Sequence, residues 1–323
     1  MPFRIIPRRS QMPAPKSWRD KTEALLSEIN DNSVKSYRKA DAELVSLAMA
    51  GFGPDSSTKK VPQSGMRVVC NISSAHIAAV LTGESRGDPK PYKNRYDLAS
   101  PSNEPQTLGA LVPTPQSLRE KIDSVIARLA STSDGKEFYY AAIELNGSGI
   151  RYFGDLCMVV KPEETDANTL VLFKNSYDLS RSPIREEIFV NGSMDIEKAI
   201  ETAKELQGIW PEDVIDMAAC KILDGANPTE RRITTGTVSA GVLFDEDYLE
   251  VVRLKSFGAS SLEEIRLSSQ DVAVEGRVAE RLRSGPAPSY AELQWRHRRR
   301  GAERISARMN VATRVVATAG RIR

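Results

Sequence analysis

The sequence predicts an α+β fold, a helical N-terminal segment followed by a mixed, mainly antiparallel sheet flanked by helices. Three observations carry this. Apolar residues recur at helical spacing before residue 52 and again after residue 193. Three strand-like runs crowd together between Glu137 and Asn175. The turn between the first two, Asn146-Gly147-Ser148-Gly149, is of the kind that joins antiparallel strands. At 323 residues, 40% hydrophobic and 27% charged, the chain has material for a sizeable core.

The elements follow in order. Residues 1–16, MPFRIIPRRSQMPAPK, read as a flexible basic arm, too rich in proline for a secretory signal. Residues 17–52 form a helical lead-in of two antiparallel helices, with Trp18, Leu25, Leu26 and Ile29 on the first and Val34, Tyr37, Leu44, Val45 and Leu47 on the second. Glycine, proline and serine mark 53–65 as a linker, and the main α+β domain is expected over 66–285.

That domain opens with the strand MRVVCNI and a helix capped by Ser73 or Ser74 and ended by Gly83. A proline-rich loop spans 84–115, and helix resumes over PQSLREKIDSVIARLAS. EFYYAAIEL, GIRYFGDLCMVV and TLVLFKN then read as an antiparallel meander, with Asn146-Gly147 as its hairpin. Two helices follow, SMDIEKAIETAKELQG capped by Ser193 and PEDVIDMAACKILDG with Pro211 in its first turn. Strand character returns at TVSAGVLF and DYLEVVRLKSF. SSLEEIRLSSQDVAVEGRVAERLRSG reads as helix, broken by GPAPS. The arginine-rich segment 286–323 can supply the last strand or helix of the domain.

Composition excludes several classes. No apolar run is long enough to cross a bilayer, so a cytoplasmic protein without membrane contact is expected. The cysteines, Cys70, Cys157 and Cys220, are odd in number and far apart, which fits small buried hydrophobes in a reducing compartment. Only His76 and His297 are present, so no metal centre is expected. The glycine-rich phosphate loops and the kinase and Ser-hydrolase signatures are absent.

The net charge of +2 hides an asymmetry. No lysine follows Lys255, and residues 277–323 hold twelve arginines against three glutamates. A guanidinium fork suits phosphate, so Arg296, Arg298, Arg299, Arg300 and Arg304 are candidate contacts to nucleic acid. The same run also reads as a solvated arginine-rich helix. A third possibility is a phage or virion assembly protein using both ends of the chain as arms.

Five segments in order, MRVVCNIS, LTGE, YFGDLCMVVK, NSYD and SYAELQW, resemble the ADP-ribosyltransferase-like domains of bacterial toxins and phage-associated proteins. The resemblance implies NAD as cofactor and either transfer of ADP-ribose to a macromolecular or small acceptor or NAD hydrolysis, in a toxin or effector. Arg67 would hold the pyrophosphate, and Asn175, Ser176 and Tyr177 would line the nicotinamide ribose pocket. Glu292 would be the catalytic acid, with Gln294 on the same strand face orienting the acceptor. Beside this, Arg67 also reads as a strand-end surface charge and NSYD as an ordinary turn. SYAE reads as a capping box, Ser289 the cap and Glu292 its third residue. Strand or helix at Glu292 separates the two possibilities.

Overall fold

In the computed structural model, the structure describes residues 17–30, 67–98, 116–132, 135–144, 147–161, 169–181, 184–190, 192–210, 212–224, 243–244 and 247–316. The expected arm, second lead-in helix, linker, Asn146 and Pro211 lie outside the described residues, as does most of TVSAGVLF.

The elements run α1 (Trp18–Asn30), β1 (Arg67–Ile72), α2 (Ile77–Gly83), α3 (Arg95–Leu98), α4 (Gln116–Leu129), β2 (Tyr139–Glu144), β3 (Leu156–Val160), β4 (Leu170–Leu172), α5 (Ile184–Ile188), β5 (Phe189–Val190), β6 (Ser193–Met194), α6 (Ile196–Leu206), β7 (Gln207–Ile209), α7 (Val214–Asp224), β8 (Leu243–Phe244), β9 (Asp247–Tyr248), β10 (Glu250–Arg253), β11 (Leu262–Ser268), α8 (Ser269–Ser284), α9 (Tyr290–Arg308) and β12 (Ala312–Val316). Eight strands form one sheet in the order β12-β11-β3-β1-β2-β10-β4-β7. Every neighbouring pair is antiparallel except β11 and β12, which run parallel. The fold class is α+β, as the sequence predicts.

The expected meander is corrected. β1 separates β2 from β3, and β10 separates β2 from β4. The reason is burial: β1 reads RVVCNI with every residue after Arg67 buried, so it belongs at the centre of a sheet covered on both faces. Because β2 and β3 are not neighbours, Gly147 and Gly149 carry a longer crossing instead of a hairpin.

Alternation along the strands divides the sheet into two faces. Val68, Cys70 and Ile72, with Ile143, Met158, Val251, Ile265 and Leu267, meet α1, α2, α7 and α9 through Trp18, Ile77, Leu81, Met217 and Ala302. On the other face, Leu170, Leu172 and Val252 pack under α4 and α6 through Ile122, Ile126 and Ala199, while Val69, Ala142, Cys157 and Val159 gather with Ile150 and Tyr248. Trp18 stacks on Phe173 with ring centroids 4.8 Å apart, and its indole N–H donates to the Gln207 carbonyl at 2.7 Å. The lead-in helix α1 is thereby part of the main core.

Two local expectations are also corrected. Neither Ser73 nor Ser74 caps α2: His76 holds the N-cap position, and the Ser74 N–H donates to Asp155 instead. Gly83 is the last residue of α2, as expected, and a 3-10 turn then carries the chain to Gly87, where φ of 76° favours glycine. Asp195, and not Ser193, caps α6, its carboxylate accepting from the Lys198 N–H at 3.2 Å, because Ser193 is taken into the β5–β6 hairpin.

The largest correction is at LEEIRLS, expected as helix and observed as β11. Its leucines and glutamates favour helix, but Ile265 and Leu267 alternate with Arg266 and Ser268. Pairing on both edges, to β3 and β12, outweighs the local preference. The arginine-rich C-terminal segment supplies both a helix, α9, and a strand, β12. All three cysteines are buried and none is in a disulfide. Among the described residues, no helix is long and apolar enough to cross a membrane.

Candidate functional site

α9 begins with a complete capping box. Ser289 Oγ accepts from the Glu292 N–H at 3.3 Å, and Glu292 Oε2 accepts from the Ser289 N–H at 2.8 Å. Glu292 also pairs with Arg281 of α8. The Ser289 backbone N–H, reinforced by Arg281, holds the Glu292 carboxyl down at about 2. Of the two possibilities the structure has the capping box: Glu292 and Gln294, which the resemblance would put on one strand face, sit on a helix, where residues two apart point about 160° away from each other and share no face.

The other residues expected beside Glu292 lie elsewhere. Arg67 opens β1 and its Nε donates to Glu263 at 2.8 Å. Asp155, which takes Trp295 and Arg299 of α9, adjoins the far end of β1, where Ile72 faces Leu156. Five strand steps, about 17 Å, separate the two ends. Ser176 bonds Glu250, which projects from the sheet face opposite Val251, whereas α9 packs on the Val251 face through Ala302. Arg67, Ser176 and Glu292 are not brought together.

Along α9 the arginines divide by direction. Arg299 is 1% exposed and points inward, its Nε donating to Glu275 of α8 at 2.8 Å and its Nη1 to the Asp155 carbonyl at 3.0 Å, with Asp271 3.8 Å away. It is removed from the expected nucleic-acid set because it holds the helix to the sheet. Arg296, Arg300 and Arg304 recur every four residues, so their Cα atoms climb about 6 Å per step along one flank. With Leu293, His297 and Glu303 they line an open depression of about 520 Å³. Glu303 pairs with Arg300 at 2.9 Å and neutralises one of the three cations. Arg298 and Arg308 are exposed further round the helix.

A second constellation surrounds Asn175, Ser176 and Tyr177 on the other face of the sheet. Asn175 caps a 3-10 turn, accepting from the Tyr177 N–H at 2.9 Å and donating to the Tyr248 hydroxyl at 2.9 Å. The Ser176 N–H donates to Glu250 Oε2 at 2.8 Å. Arg119 of α4 reaches the Ser176 hydroxyl, pairs with Asp123 at 2.8 Å and lies over the rings of Tyr140 and Tyr177. The Tyr140 hydroxyl donates to Asp123 at 2.7 Å. Burial pushes the Glu250 carboxyl up to about 7, against the pull of Arg119 and the Ser176 hydrogen bonds. A carboxyl titrating near neutrality beside a guanidinium can hold or release a proton.

Glu250, Arg119, Asp123 and Tyr248 were missed by sequence reasoning. The available signals were an acid inside the apolar strand DYLEVVRL and an Arg-x-x-x-Asp pair beside apolar Leu118, Ile122 and Val125 of α4. Among the described residues, no three His, Cys, Asp or Glu side chains gather as a metal-holding group.

Fold and surface together define an α+β protein with a cationic helix flank and a buried carboxylate–guanidinium cluster. Comparison of the chain with protein-family models, curated proteins and solved structures finds no match.

Proposed function

We propose that the chain binds polyanions, with nucleic acid as the ligand class, along the outer flank of α9. The single observation that carries this is the row Arg296, Arg300, Arg304, joined by His297 on an open depression. Successive guanidinium groups on such a row meet successive phosphates of a strand, and each neutralised phosphate releases counterions. Helical placement of Glu292 favours this binding function over the transferase chemistry, and the anchoring of Arg299 explains how a heavily charged helix stays docked.

The expected result is that a labelled oligonucleotide binds the parent with a steep salt dependence. Arg296→Ala with Arg304→Ala should weaken binding across sequences and flatten the log–log salt slope by about one per lost contact. These two leave the Arg300–Glu303 pair intact. No binding by the parent, or an unchanged slope, overturns the proposal.

One observation favours a second function, the NAD-dependent ADP-ribosyltransferase-like enzyme: the Ser176 N–H donates to the Glu250 carboxyl, while Asn175 bonds the Tyr248 hydroxyl and Tyr177 lies under Arg119. In that case Glu250, in place of Glu292, stabilises the positive charge that develops as nicotinamide leaves. Nicotinamide release from NAD should then fall on the order of 10²-fold or more in Glu250→Gln. A parent that releases none removes this function.

A further inference from the structure

The described surface carries an exposed aromatic pair, on a turn whose next residues are tied through Asp155 to α9, the helix that bears the arginine row. Tyr152 is 69% and Phe153 54% exposed, their rings edge to face with centroids 5.2 Å apart. Two exposed aromatic rings side by side form an apolar patch of the kind that marks a binding surface.

What surrounds the pair is rigid. Ile150, just before it, is buried at 4% exposed. Arg151 forms an ion pair with Asp271 in the first turn of α8. Gly154, just after it, lies so close to β1 that a Cβ there would come within 2.1 Å of the Ile72 carbonyl carbon. Asp155 then accepts from the Ser74 N–H at 2.7 Å and from the Trp295 indole N–H at 3.0 Å, and its carbonyl accepts from Arg299. The two rings therefore project from a turn fastened at both ends to α8, β1 and α9. The residue after Trp295 is Arg296, the first cation of the row.

We infer that the polyanion is a single-stranded nucleic acid, its bases stacking on Tyr152 and Phe153 while its phosphates follow Arg296, Arg300 and Arg304; this rests on the nucleic-acid function proposed above. Charge complementarity selects the phosphates, and the aromatic pair selects the strand state. Bases in a duplex are stacked on one another and offer no free face, whereas every base of a single strand offers one. An aromatic turn tied to the helix that bears the cations gives both contacts without ordering a loop on binding, and it is indifferent to base identity.

The test compares a labelled oligothymidylate, an oligouridylate and a duplex of equal length at one salt concentration, using the full chain. The parent should bind both single strands more tightly than the duplex. Tyr152→Ala with Phe153→Ala should lower single-strand affinity on the order of tenfold. It should leave duplex affinity and the salt slope unchanged, since no phosphate contact is lost. Tyr152→Phe should keep the parent's affinity and Phe153→Leu should lower it by part of that factor, because the ring and not the apolar area is required. Both positions are surface-exposed, and unchanged far-UV circular dichroism with an unchanged melting temperature certifies each variant. Equal affinity for duplex and single strand, or an aromatic double variant that binds as the parent does, overturns this inference and leaves the arginine row standing. A parent that binds none of the three probes overturns both.

Discussion

Arg299→Ala should cost about 3–5 kcal/mol of stability, the range for breaking a buried ion pair from one side. The guanidinium is 1% exposed and faces Glu275, itself 2% exposed, together with Asp155 and Asp271. Removing it leaves the Glu275 carboxylate buried without its cation. It also removes the guanidinium contacts of α9 to Asp155, leaving the Trp295 indole N–H on that carboxylate. Chemical denaturation should show the midpoint falling with the transition still cooperative. Arg298→Ala, at an exposed neighbour on the same helix, should change stability by less than about 0.5 kcal/mol. Equal effects at 298 and 299 would show that the inward cluster does not hold the helix.

Glu250→Gln should remove a pH dependence of stability between roughly 4.5 and 7. Burial raises the folded-state value of Glu250 to about 7 from an ordinary 4.5. In that window the folded protein keeps a proton that the unfolded chain has released. Stability therefore falls as pH rises through the window and loses nothing more above it. The span is worth roughly 3 kcal/mol at about 1.4 kcal/mol per pH unit. The groups facing Glu250 are Arg119, Asp123, Tyr140, Ser176 and Tyr248. Glutamine keeps an oxygen for the Ser176 N–H, and Arg119 keeps Asp123. The variant should match or exceed the parent above pH 7 and be flatter below it. A parent and variant with the same slope would show that Glu250 is not protonated in the folded state.

Much of the fold was legible in the sequence, for physical reasons that differ by element. β1, β2 and the helices α4 and α7 announced themselves through periodicity, because each buries a face that only one kind of element can present. Strand order was not legible: nothing local in EFYYAAIEL or GIRYFGDLCMVV reveals that β1 inserts between them. β11 was hidden because Leu and Glu favour helix while its strand identity comes from two partners distant in sequence. At the candidate sites, the capping box at Ser289 could be read directly, since its spacing carries its geometry. The inward turn of Arg299 could not, because one helical step decides it among three consecutive arginines. Glu250 was an acid in an apolar strand whose partners, Arg119 and Ser176, come from other elements.

The interleaved strand order bears on how the chain acquires its structure. β10 lies between β2 and β4, and β11 is the neighbour of β3, so early strands wait for residues 250–268 before their edges are filled. During synthesis, β2, β3 and β4 leave the ribosome with open hydrogen-bonding edges and apolar surfaces, a state prone to pairing with other chains. Loop closure over such sequence distances must precede the contacts that reward it, so folding belongs to the slow, topology-limited regime. The expected practical consequence is a need for chaperones during expression while about the first three-quarters of the chain awaits residues 250–268.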